Sequence, residues 1–260
     1  MQTIKIQCPA KINLNLKITG KLENGFHAIE SVMQTISLYD YLTINVENSD
    51  ENEIILSGNS SEIPYDETNL VYKAVKLYLE TAGIENKKIN IYIEKNIPVS
   101  AGLAGGSTDG TGVLYGLNKI FLCFDFEGLD SLCAKLGSDL NVCLHGGRIL
   151  AQGRGEITTP LEFEEFNVSL IKPINLGISA KEAYTKYSQK NKSNNNYNND
   201  LEWAVIDDYP QLQYIKQKYP NSVMTGSGST YFMIDGEFDQ ENGYWVKNNL
   251  KSINFGVKEV

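Results

Sequence analysis

Apolar and polar residues alternate from the first positions of the chain. Ile4, Ile6 and Cys8 keep a period of two, Pro9-Ala10 interrupts it, and Ile12, Leu14, Leu16 and Ile18 resume it against Lys11, Asn13, Asn15 and Lys17. Two strands in close succession are predicted, broken at the proline. On the second, the period of two sends Lys11, Asn13 and Asn15 to one face. That face is either the solvated side of an antiparallel sheet or one wall of a site. Further strands are predicted at 42–46, 53–57 and 88–94. Between the last two, Val71, Ala74, Val75 and Tyr78 recur at helical spacing, with Thr68 or Asn69 as cap and Gly83 as stop. Leu129, Leu132, Cys133 and Leu136 mark a shorter helix closed by Gly137, and Ser138-Asp139 follows at once.

The strand at 88–94 runs into Pro98-Val99-Ser100-Ala101-Gly102-Leu103-Ala104-Gly105-Gly106-Ser107-Thr108-Asp109-Gly110. Glycine has no Cβ to hold an anion away from backbone N–H groups, so a strand feeding such a loop suits a phosphate, although a flexible surface turn has a similar composition. The loop lacks the lysine of the P-loop and the spacing of dinucleotide-binding folds. The chain also has no H-R-D or D-F-G triplet of protein kinases. A helix is expected over 107–118 with its N-terminus toward the phosphate, although Gly110, Gly112 and Gly116 each cost it about 1 kcal/mol relative to alanine. Those glycines allow close packing on a neighbouring strand.

Near residue 160 the pattern changes. Thr158-Thr159-Pro160 and an acidic stretch precede a strand at 167–172, so a division into residues 1–160 and 161–260 is expected. The asparagine-rich run 191–199 reads as a surface loop with no chemistry of its own. Thr225-Gly226-Ser227-Gly228 forms a second glycine loop before a strand at 229–234.

At 260 residues the chain can bury a substantial core. A net charge of −9 argues against a nucleic-acid surface and for a small-molecule ligand. Arg148 and Arg154 are the only arginines, so a polyphosphate is expected to rest on backbone N–H groups, lysines and a divalent metal. Cys8, Cys123, Cys133 and Cys143 lie in apolar surroundings without a C-x-x-C pair, and read as buried free thiols. Without a signal-peptide pattern or a run of roughly 20 apolar residues, a cytoplasmic protein with no membrane partner is expected. No stripe demands a dimer, and a monomer or weak homodimer is expected.

Three separated motifs together resemble the GHMP kinase superfamily: 9–16 (Pro-Ala-Lys-Ile-Asn-Leu-Asn-Leu), the loop 98–109, and 224–230 (Met-Thr-Gly-Ser-Gly-Ser-Thr). Gly20-Lys21 with Asn24-Gly25-Phe26-His27, then 68–74, then Leu136-Gly137-Ser138-Asp139, resemble the members that act on a cytidine-diphosphate alcohol in making isoprenoid precursors. The resemblance implies an α+β, two-domain fold with the active site in the cleft between the domains, and an ATP- and Mg²⁺-dependent kinase. It implies Asp139 as the base and Lys11 as its orienter, with Asn13 beside the acceptor. Asn69, Lys95, Asn96, Pro98, Gly102, Gly105, Gly106, Ser107 and Thr108 fall at ATP-binding positions, Ser107 or Thr108 bringing a hydroxyl near Mg²⁺. His27, Phe26 and Tyr184 fall at cytosine-binding positions, and Gly226, Ser227 and Gly228 close the site. His145 is expected to be structural. The chain departs from the family at Ala104, usually glycine, at Leu22, usually arginine, at Phe26, usually tyrosine, and at Asn141, usually proline. Other members act on mevalonate, homoserine or a sugar, and a non-catalytic metabolite-binding relative would share the same motifs.

Overall fold

The computed structural model describes residues 1–23, 25–190 and 196–260. Asn24 of the hairpin motif and residues 191–195 of the asparagine run lie outside them. Strand β1 (Gln2–Asn13) leads through a turn to β2 (Lys17–Lys21), which hairpins into β3 (His27–Asn48). β4 (Glu53–Gly58), α1 (Leu70–Ala82) and β5 (Lys87–Glu94) form a parallel crossover. The glycine loop follows, then α2 (Gly105–Phe121), α3 (Phe126–Leu136), α4 (Asp139–His145) and the hairpin of β6 (Arg148–Gly153) and β7 (Ile157–Pro160). A second sheet opens with β8 (Asn167–Pro173); α5 (Ala180–Gln189), α6 (Asp200–Val205) and α7 (Pro210–Lys218) precede β9 (Val223–Met224), β10 (Tyr231–Ile234) and β11 (Tyr244–Lys251). β12 (Lys258–Glu259) returns to pair with β1.

The first sheet runs β12-β1-β3-β5-β4, with β2 and β6 pairing along the other end of β3 and β7 on β6; the second runs β11-β8-β10-β9. This is an α+β architecture with two sheets. The expected break at Pro9-Ala10 does not occur. Pro9 pairs with Tyr39 and Ala10 with Ile36, so a bulge in β3 absorbs the irregularity and β1 continues to Asn13. Asn15 leaves the strand, and its Oδ1 accepts from Val32 N at 2.6 Å.

β3 is 22 residues long, much longer than the 42–46 segment expected. Its apolar positions change phase at the bulge, from Ile29 and Met33 to Ile36, Leu38, Leu42, Ile44 and Val46. No single alternation spans the strand, which explains why only its last part is legible. The phase change has an architectural effect. Among the described residues the buried apolar side chains form three clusters, and β3 contributes to each: Leu42, Ile44 and Val46 under α1–α3, Ile29 and Met33 against α5–α7, and Ile36 and Leu38 between the glycine loop and β8.

α1 is capped by Asn69, whose Oδ1 accepts from Val71 N at 2.9 Å, and is ended by Gly83 at φ 64°. The glycines of α2 perform the packing expected of them. A Cβ on Gly112 would lie 2.4 Å from Cys8 Sγ, and one on Gly116 would lie 2.5 Å from Ile44 Cδ1. Cys8, Cys133 and Cys143 are buried free thiols, but Cys123 is exposed just beyond α2, contrary to the sequence reading. Among the described residues no helix is long and apolar enough to cross a membrane.

Candidate active site

The polar face of β1 is buried rather than solvated. Lys11 is 3% exposed and Asn13 1%. Burying a lysine without partners would be costly, and here each donor is directed. Its Nζ donates to Asn13 Oδ1 at 2.8 Å and to the Gly102 carbonyl at 3.2 Å, and lies 3.4 Å from Asp139 Oδ2. Asn13 Nδ2 donates to Ser31 Oγ at 2.8 Å, fixing the amide. Asp139 opens α4 and is one-third exposed, so one carboxylate edge faces open space while Lys11 holds the other.

The two glycine loops clasp each other. Gly102 adopts φ +73°, and a Cβ there would stand 2.1 Å from the Thr225 carbonyl oxygen. Asn13 N donates to Thr225 Oγ1 at 2.9 Å, and that hydroxyl donates to the Gly102 carbonyl at 3.2 Å. Asn199 is fully buried and donates to the Met224 and Gly226 carbonyls at 2.7 and 2.8 Å. The end of the asparagine run therefore has structural work, unlike the solvated loop expected. Before α2, Ala104 takes φ +60° with no side-chain cap, a conformation costing about 1–2 kcal/mol for a residue with a Cβ. This is where the family usually has glycine. The first amides of α2, at Gly105, Gly106 and Ser107, have no acceptor within the helix and line a hollow.

Beneath that hollow lies a buried charge network absent from the sequence reading. Lys95 Nζ binds Asp40 Oδ2 and Asp109 Oδ2, the latter at 2.8 Å, with all three side chains nearly inaccessible. Asp40 Oδ1 also accepts from the amides of Asn96 and Ile97 at 2.6 and 2.8 Å. Burial pushes the Asp109 carboxyl up to about 7, with Lys95 opposing and Asp40 adding to the rise. Burial alone would lower Lys95, but Asp109 and Asp40 outweigh it and hold the ammonium charged. The signal for Asp40 was its phase, since it alternates with Leu38, Leu42 and Ile44 on the buried side of β3.

Two adjoining hollows meet at Gly102, Ala104, Ser107, Ala180 and Ser227. The smaller, about 340 Å³, is lined by Asn69, Lys95, Pro98, Gly105 and Gly106. The larger, about 890 Å³, is lined by Lys11, Asn13, Phe26, His27, Asp139 and Tyr184. His27 and Tyr184 stack with ring centroids 5.1 Å apart and planes 14° from parallel, and His27 Nε2 is hydrogen-bonded to Ser188 Oγ at 3.0 Å. Burial, with Asp139 nearby, raises the Tyr184 phenol, so its hydroxyl stays protonated.

Of the residues singled out from sequence, Ser107 and Ser227 face both hollows, whereas Thr108 is fully buried and lines neither. Asn96 faces a separate depression beside Lys172 and Trp245. Gly226 and Gly228 form the turn behind Ser227, both with positive φ. His145 binds Asp130 at 2.8 Å and lines neither hollow. Arg154, one of the two arginines and not singled out as a site residue from sequence, lines the larger hollow.

The fold is that of known small-molecule kinases: it matches homoserine kinase from Cytophaga hutchinsonii with a TM-score of 0.72 over 100% of this chain and 98% of that one, at 16% identity. Residues 69–147, from the cap of α1 to the turn before β6, match the GHMP kinases N terminal domain. A solved 4-(cytidine 5'-diphospho)-2C-methyl-D-erythritol kinase matches with a TM-score of 0.77 and 25% identity over 96% of this chain and 99% of that one. The 4-diphosphocytidyl-2-C-methyl-D-erythritol kinase of Clostridium tetani is 40% identical over 256 residues, 88% of this chain and 90% of the relative. That of Prochlorococcus marinus subsp. pastoris is 35% identical over 98% of this chain and 93% of the relative. The chain belongs to the 4-diphosphocytidyl-2-C-methyl-D-erythritol kinase family.

Proposed function

We propose that the protein transfers the γ-phosphoryl group of ATP to the 2-hydroxyl of 4-diphosphocytidyl-2-C-methyl-D-erythritol, a step in non-mevalonate isoprenoid precursor synthesis. The observation that carries this reading is the junction of the two hollows. An amide-lined hollow at the start of α2 opens into a larger, aromatic-walled one beside the Lys11–Asp139 pair. ATP phosphates rest on the amides of Gly105, Gly106 and Ser107, with Asn69 and Pro98 toward the nucleoside. The acceptor lies in the larger hollow, its cytosine against Phe26, His27 and Tyr184.

Phosphoryl transfer chiefly requires alignment and charge stabilisation. The acceptor oxygen bonds to the γ-phosphorus as the bond to the bridging oxygen of ADP breaks, and the hydroxyl proton passes to Asp139. Lys11, fixed by Asn13 and Gly102, holds that carboxylate in place and offsets charge gathering at the junction. The Ser107 hydroxyl, which makes no hydrogen bond among the described residues and faces both hollows, suits Mg²⁺ together with phosphate oxygens and water. When bound, Mg²⁺ neutralises phosphate charge. We place the division between the halves at residue 160, with β12 returning to the first sheet.

The test is ADP release by purified protein with ATP and Mg²⁺, offered 4-diphosphocytidyl-2-C-methyl-D-erythritol, mevalonate, homoserine or galactose. Selective turnover of the first is expected. Turnover of another alcohol instead would overturn the acceptor, and no turnover would overturn the enzyme reading.

A further inference from the structure

The larger hollow is cationic although the chain carries a net charge of −9. Lys11, Lys21, Arg154 and Lys181 line it against a single carboxylate, Asp139. Lys11 is already committed to Asn13, Gly102 and Asp139, while Lys21 and Lys181 are exposed. Arg154 differs from all three. It sits half-buried in the turn between β6 and β7, its guanidinium 5.6 Å from the centre of the Phe26 ring and its Nε 3.3 Å from Glu156 Oε1. The same glutamate accepts from the Arg154 amide at 2.6 Å. The neighbouring Gly155 presses on Ser138, where a Cβ would lie 3.3 Å from Ser138 Cβ, so the turn is braced against the residue preceding Asp139.

Glu156 holds the guanidinium by its Nε above the Phe26 ring, while neither Nη group donates to anything among the described residues. A planar fork held in this way matches two oxygens of a phosphate chain, which a flexible ammonium does not. We infer that Arg154 is a specificity-determining residue whose Nη edge receives the diphosphate of the acceptor, next to the Phe26 surface where the base stacks. The inference rests on the acceptor assigned above and deepens it. The charge it supplies lies on a different turn from Leu22, which brings none.

The test is titration calorimetry of cytidine 5'-diphosphate, cytidine and ATP with the unaltered protein and with Arg154→Ala, Arg154→Gln and Arg154→Lys. Arg154→Ala and Arg154→Gln are expected to weaken cytidine 5'-diphosphate about tenfold or more, as loss of a charge-assisted pair implies, and to leave cytidine and ATP within about twofold. Arg154→Lys is expected to recover part of the loss. Equal losses for cytidine and its diphosphate, or no loss for either, would overturn the inference while leaving the acceptor reading intact. Failure of the unaltered protein to bind either cytidine ligand would overturn the acceptor reading itself, and the inference with it.

Discussion

Asp139 and Lys11 lie 3.4 Å apart, yet their surroundings differ by design: the lysine is 3% exposed and the aspartate 33%. A carboxylate held on one side by a buried ammonium and open on the other can take a proton without losing its position. Asp139→Asn keeps the shape and removes the basicity, so kcat is expected to fall by about 10²–10⁴-fold, the range of a general base. ATP affinity, measured by calorimetry, is expected to stay within about twofold. Near-normal turnover would remove Asp139 from the role. At this scale the sequence was partly legible. Lys11 and Asn13 share a face because a strand has a period of two, and the structure joins them directly. Thr225, which grips Asn13 from 212 residues away, could not be assigned because nothing local to it records that contact.

The start of α2 is held from below by Asp40, Lys95 and Asp109, and this gives the element a pH signature. The Asp109 carboxyl ordinarily titrates near 3.8, but burial raises it to about 7 in the folded chain. Between those values the folded chain retains a proton that the unfolded chain has released, so this group's contribution to stability falls as pH rises through the window and is level above it. Asp109→Asn cannot lose the proton. Unfolding free energies from urea titrations should therefore show the wild-type value declining relative to the variant between about pH 4 and pH 7; a flat difference would exclude the effect. The helix itself was legible from the loop before it, against the propensity of its glycines, because close packing on Cys8 and Ile44 compensates for their cost. The break in β1 was misplaced because proline interrupts a pattern of side chains without ending a strand whose partner can bulge.

Across the whole molecule, β3 serves all three apolar clusters, and the second joins Met33, Val142 and Ile149 to Ile171, Leu201 and Met224. With cores shared in this way, the two sheets are expected to unfold together. Fluorescence of Trp203 and Trp245, which pack against the second and third clusters, should follow the same urea transition as far-UV circular dichroism. Separated midpoints would show independent halves. The order of elements was largely readable from periodicity, but this sharing was not, since it depends on a phase change inside one long strand. The clasp of the glycine loops also constrains how such a chain can drift over generations. Any side chain at position 102 collides with the backbone of residue 225, and the hydroxyl at 225 serves both Asn13 and Gly102. Loss of the hydroxyl at 225 would strip both bonds at once, and a side chain at 102 would force the loops apart, so change at either position is constrained by the other although 123 residues separate them along the gene.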